Sequence, residues 1–87
     1  MNTQTVVELL ALYLQQTYKA QLDSVYTKES MLGFAYKVIK FTYRYERFEI
    51  KIFAPDFILT KKLDFPGKVS DNLIDARKEI DSILKQL

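Results

Sequence analysis

Between Phe34 and Phe53 apolar and polar side chains alternate with a period of two, and no other feature narrows the fold as far. That period belongs to strands with one buried face. Residues 34–45 are rich in β-branched and aromatic types, and residues 48–53 continue the alternation. Glu46 and Arg47 fall between the two runs as a turn, without the Asn-Gly signal of a tight hairpin. Pairing Tyr45 with Phe48 sets Tyr43 opposite Ile50 and Phe41 opposite Ile52, which gives one apolar face. On the other face Arg44 opposes Glu49, Thr42 opposes Lys51 and Lys40 opposes Phe53. The opposite charges at Arg44 and Glu49 favour this register. A slip of one residue would turn charge into the core.

Ala54-Pro55-Asp56-Phe57 reads as the next turn, with proline where a type I turn favours it. A third strand over 58–64 then sets Leu59 against Ile52 and Leu63 against Phe48. Ile58, Thr60 and Lys62 fall on the polar side. Lys61 lands on the apolar face beside Ile50. Either its stem snorkels at the sheet edge or the register is shifted.

Helices flank this meander. From Thr3 to about Ala20, Val6, Leu9, Leu10, Tyr13 and Leu14 recur at helical spacing. Thr3 or Thr5 suits the N-cap, and Glu8 completes a capping box with Thr5. After the Phe65-Pro66-Gly67 break, Val69, Leu73, Ala76, Ile80, Ile83, Leu84 and Leu87 predict a helix over 70–87, capped by Ser70. Residues 21–33 carry no clear period. They read as a short edge strand and loop or as an irregular connector, and Gly33 marks the start of the sheet. The expected fold class is α+β in a single domain, residues 1–87. Its order is helix, three-stranded antiparallel meander (four-stranded if 21–33 adds a strand), helix. Both helices are expected on the apolar sheet face, since each has one apolar side to bury.

The residue inventory limits the chemistry. Cysteine and histidine are absent, and there are only two glycines, Gly33 and Gly67. Thiolate nucleophiles, histidine bases, the usual zinc ligand sets and glycine-rich phosphate loops are therefore excluded. Asp71, Asp75 and Glu79 form an acidic stripe on one helix, which reads as a solvated face, because hard-metal sites need oxygen ligands from more than one element. No catalytic residue, metal site, cofactor or small-molecule substrate is expected, and the chain reads as a non-enzyme. The net charge is +2. No apolar run approaches the roughly 20 residues of a membrane span, and the start of the sequence lacks a signal-peptide pattern. No membrane partner is expected, and the cytoplasm is the default location.

With both helices on one side, the other sheet face is left open, and the function is expected there. Tyr36, Val38, Phe53 and Ile58 gather at one end, and Lys40, Arg44 and Lys51 fill the other. Apolar anchors with a charged surround suit a protein partner, whether another protein or a copy of this chain. Two plainer readings stand beside this: an ordinary solvated face, or a face covered by residues 21–33. A nucleic-acid reading uses Lys37, Lys40, Arg44, Arg47, Lys51 and Lys62. Five basic residues against two acidic ones lie between Phe34 and Ala54, interleaved with aromatics, a combination able to stack bases and neutralise phosphates.

The helix–three strands–helix order is similar to the double-stranded-RNA-binding fold. That family opens its last helix with a lysine-rich, phosphate-contacting patch. Here Lys68 is followed by Val69, Ser70, Asp71 and Asn72, so an acid stands in the patch's place. Small size, absent catalytic motifs and an open sheet face also look like accessory proteins of phages and mobile elements, including inhibitors of host defence systems. The leading expectation is such a binding or inhibitor protein. The alternatives are the nucleic-acid module and a self-associating subunit of a larger assembly.

Overall fold

A computed structural model describes all 87 residues. Helix α1 (Thr3–Thr17) is followed by strands β1 (Gln21–Glu29), β2 (Ala35–Tyr43), β3 (Glu46–Ala54), β4 (Phe57–Lys62) and β5 (Lys68–Ser70), then helix α2 (Leu73–Leu84). The strands form one antiparallel sheet of five in the order β1-β2-β3-β4-β5. The α+β class and the flanking helices agree with the sequence reading, but the sheet has five strands where three or four were expected. Beyond the three-stranded meander stand β1, the edge strand allowed for in 21–33 and here nine residues long, and short β5, which was not expected and lies where a break and a helix start were read.

The helix starts are set by asparagine. Asn2 Oδ1 accepts the Thr5 backbone N–H at 2.8 Å, so Asn2 is the N-cap in place of Thr3 or Thr5. Asn72 does the same for Asp75 at 2.8 Å, which moves the start of α2 past Ser70. Each side chain satisfies a donor that a helix leaves unpaired at its first turn. Ser70, expected as a cap, ends β5 and is buried. At the other end of α1, Lys19 takes a left-handed φ of 53°, and Ala20 N–H returns to the Leu14 carbonyl at 3.1 Å.

The β2–β3 turn is Arg44-Tyr45, with φ of 50° and 69°. Two consecutive positive φ values define the tight turn whose twist matches the strands. The turn sits two residues earlier than expected, so Phe41 faces Phe48, not Ile52, and Lys40 faces Glu49. Stacking of the Phe41 and Phe48 rings, centroids 5.2 Å apart, accompanies this register. An even displacement keeps every side chain on its expected face. Ile39, Phe41, Phe48, Ile50 and Ile52 do point into the core.

β4 is different. Ala54 pairs with Phe57, but Ile52 pairs with Ile58, so Phe53 is an extra residue in a β-bulge. One added residue reverses all that follows. Ile58 and Thr60 therefore face the helices, and Leu59 and Lys61 face away. This corrects the sequence reading of the third strand and accounts for the misplaced Lys61. Gly67 lets β5 close onto β4, since a Cβ there would lie 2.7 Å from Leu59 Cδ1 and 2.9 Å from the Thr60 carbonyl oxygen.

Val6, Leu10 and Leu14 of α1 pack with Ile39, Phe41, Phe48, Ile50, Ile52 and Ile58 of the sheet and Ala76, Ile80 and Leu84 of α2. Full burial of each large aliphatic side chain contributes roughly 1.5–3 kcal/mol. α1 lies over β2 and β3, and α2 over β4 and β5. At the helix–helix contact the Tyr13 hydroxyl donates to Asp81 at 2.6 Å, and the Tyr18 hydroxyl donates to the same oxygen. Burial pushes the Asp81 carboxyl up, but the two phenol donors, with Lys85 nearby, hold it below its ordinary value. Burial and the adjacent carboxylate raise both phenols. The Arg77 guanidinium lies 5.2 Å from the Tyr13 ring centre. No helix is long and apolar enough to cross a membrane.

Candidate functional site

No element covers the second face of the sheet. Segment 21–33 extends the sheet sideways as β1 and its turn, so it does not fold over that face. The pairing arranges the face in rows. Tyr26, Val38, Lys51, Leu59 and Val69 form one row across all five strands, and Ser24, Lys40, Glu49 and Lys61 form the next. Beyond these, Thr42 faces Arg47 at one end, and Lys28 faces Tyr36 at the other.

The end with Tyr36 is aromatic. Tyr36 and Phe53 have ring centres 4.8 Å apart, Phe53 and Phe57 5.1 Å, and Phe34 lies 6.4 Å from both Tyr36 and Phe53. The bulge places Phe53 at the centre of this group. Tyr36 is only 9% exposed, whereas Phe34 and Phe57 present about half their surface, 47% and 48%. The turn between β1 and β2 adds Met31 and Leu32, both almost wholly exposed.

The remainder of the face is charged. Lys28, Lys40, Arg47, Lys51 and Lys61 lie on it against Asp23 and Glu49. Glu49 sits among the cations at 8% exposure, with Lys51 Nζ at 3.6 Å and Lys40 and Lys61 directly across. Lys40 also lies 5.7 Å from the Tyr26 ring centre. At the far end Asp23, Lys40, Thr42, Arg47, Glu49 and Leu63 line a hollow of about 280 Å³. There the Thr42 hydroxyl donates to Asp23 at 2.7 Å. No group of three or more acidic side chains is placed to hold a metal ion.

Of the residues expected on this face, Tyr36, Val38, Lys40, Lys51, Phe53 and Arg47 are there. Val38 is 1% exposed and forms the floor, not a contact point. Ile58 is in the core beneath the helices, because of the bulge. Arg44 is in the turn, with its guanidinium 5.4 Å from the Tyr43 ring centre. Lys37 and Lys62 are on the helix side, where Lys37 donates to Thr27 Oγ1 at 2.7 Å and Lys62 pairs with Glu46 at 3.1 Å. The six basic residues of the nucleic-acid reading are thus divided between two faces and a turn.

Sequence reasoning missed Tyr26, Phe34, Phe57, Leu59 and Lys61 on this surface. The β-prone run Val25-Tyr26-Thr27 was the available signal for the first. Comparison with known proteins found no match, whether by family model, by curated sequence or by solved structure. The element order also departs from that of the double-stranded-RNA-binding fold, with a strand added at each edge of the sheet.

Proposed function

We propose that this protein is a small non-catalytic binding module that captures a protein partner on its uncovered sheet face. One observation carries the reading: Phe34, Tyr36, Phe53 and Phe57 form a contiguous aromatic group on a face that no part of the chain covers. Large rings on a rigid sheet lose little side-chain entropy on binding and bury much area, which suits them as anchors. The surrounding lysines, with Glu49 among them, provide a charged rim. A partner with apolar groups to meet the rings and carboxylates to meet Lys40, Lys51 and Lys61 fits this pattern. Such a module can act as an inhibitor by occupying a partner's working surface, the mode expected of an accessory protein directed at a host defence system.

The test compares the tagged chain with Phe34→Ser and Phe57→Ser in a lysate of the source organism, with Lys78→Ala on exposed α2 as control. A specific protein retained by the wild type and the control, and lost from both serine variants, is the expected result. Equal retention by all four chains would overturn the reading. The cation excess of the face supports nucleic-acid binding as a second reading. It ranks lower because Glu49 interrupts the cations and the expected basic set is split. Binding of single-stranded or duplex oligonucleotides that weakens steeply with salt would favour it, because phosphate contacts release counterions.

A further inference from the structure

The two edges of the sheet are unlike. β5 is three residues long and lies against α2, where Lys68 pairs with Glu79 at 3.4 Å. β1 is nine residues long, contains no proline, and is exposed at every residue except Leu22. The hydrogen bond from Ser30 N–H to the Phe34 carbonyl, 2.8 Å, fixes the phase of its ladder with β2. Bonded pairs then fall at Lys28–Tyr36, Tyr26–Val38 and Ser24–Lys40. The N–H and C=O groups of Val25, Thr27 and Glu29 therefore point away from β2. They recur roughly every 7 Å along an open edge, which is a template for another strand.

We propose that a second copy of this chain occupies this edge, β1 against β1 antiparallel, with Thr27 facing its own copy on a two-fold axis. Such an interface must be self-complementary, and the charges of β1 discriminate among the symmetric registers. Centring on Lys28 opposes the two Lys28 ammonium groups. Centring on Tyr26 opposes Asp23 to Glu29. Centring on Val25 runs the new ladder into the bulge between Leu22 and Ser24. Centring on Thr27 uses the regular stretch from Ser24 to Ser30 and opposes no like charges. It places Tyr26 across from Lys28 of the second copy, twice, a ring-and-cation pairing, and Thr27 across from Thr27, a favourable strand pair.

The same register brings the β1–β2 turn to the level of Leu22 of the second copy, which gives Leu32, 88% exposed, an apolar neighbour. Strand pairing of this length buries less than the roughly 1,200 Å² of a standard interface. The dimer is therefore expected to dissociate on the order of micromolar. It joins the two sheets into one of ten strands and sets the two aromatic faces on the same side.

The chain has no cysteine, so single cysteines report the register directly. Thr27→Cys treated with a short bis-maleimide is expected to give a covalent dimer at several times the yield of Val25→Cys, and far above Lys78→Cys on α2. Thr27→Pro removes an N–H that faces away from β2. It should keep the circular dichroism of the wild type yet sediment as a monomer at concentrations where the wild type is dimeric. A wild type that stays monomeric at ~100 μM, well above a micromolar constant, would overturn the proposal. So would cross-linking of Thr27→Cys no better than Lys78→Cys, or a dimer that survives in a folded Thr27→Pro. If Thr27→Pro fails to fold, the cysteine comparison alone decides. The aromatic face is untouched by these variants, so this outcome and that of the partner-capture test are independent.

Discussion

The two faces of β3 carry opposite assignments within one strand. Phe48, Ile50 and Ile52 pack under the helices, while Glu49, Lys51 and Phe53 look out on the uncovered side. On the helix side these apolar groups share one core cluster with residues of α1 and α2, and their burial stabilises the fold. On the other side, Phe53 packs against the rings of Phe34, Tyr36 and Phe57, with no helix over them. The difference separates two reasons for an aromatic or aliphatic residue to be present: holding the sheet to the helices, or presenting a surface.

Substitutions sharpen that separation, because equal truncations on the two sides should have unequal effects. Ile50→Ala leaves a cavity in the middle of the core and should lower stability by about 3–4 kcal/mol, read from urea unfolding. A loss under about 1 kcal/mol would break the assignment of this face as the core. Tyr18→Phe removes a hydrogen bond to the Asp81 carboxylate and should cost about 1.5 kcal/mol. The pH profile carries its signature. Asp81 is held below its ordinary 3.8 in the folded protein, so its contribution is complete above that pH and fades as pH falls through the lowered value. Tyr18 is held above its ordinary 10.0, so its contribution is complete below that pH and is lost as pH rises towards the raised value. The variant should lose Tyr18's share of the alkaline component, keep that of Tyr13, and lose part of the acidic one, read from melting curves between acid and alkaline pH.

Tyr45→Gly should have the opposite sign. Tyr45 is fully exposed with a φ of 69°, and relief of that conformation should stabilise the hairpin by roughly 1 kcal/mol. No gain in melting temperature would contradict the turn. Smallest of all, Phe57→Ser on the uncovered face should change stability by no more than about 0.5 kcal/mol. A larger loss would mean that the aromatic group supports the fold in addition to presenting a surface.

The same contrast explains what was legible in the sequence. Residues 34–53 showed their faces because one side is buried and the other is not, and alternation records that difference. The turn between them was placed two residues late because Arg44-Tyr45 carries none of the glycine or asparagine that usually marks positive φ. β1 was legible only as one of two options, a short edge strand or an irregular connector, for the converse reason: both of its faces are exposed, so Val25 and Tyr26 stand side by side with no period to impose. Ile58 was assigned to the wrong face because the bulge at Phe53 leaves no trace in composition. The consequence reached the candidate site, which lost Ile58 and gained Leu59 and Lys61. Phe34 and Phe57 could not be placed until the bulge and the first hairpin turn had been located.

The bulge also bears on how this chain tolerates changes of length. Loss of the single codon for Phe53 would remove the bulge and leave a regular ladder, with Ile52 still opposite Ile58 and Ala54 still opposite Phe57. Ile58 and Thr60 would stay beneath the helices, so the core would keep its register. The loss would fall on the other side, where Phe34, Tyr36 and Phe57 would be left without the ring that joins them. In this chain one residue more than the ladder needs is carried by the strand, and it serves the uncovered surface.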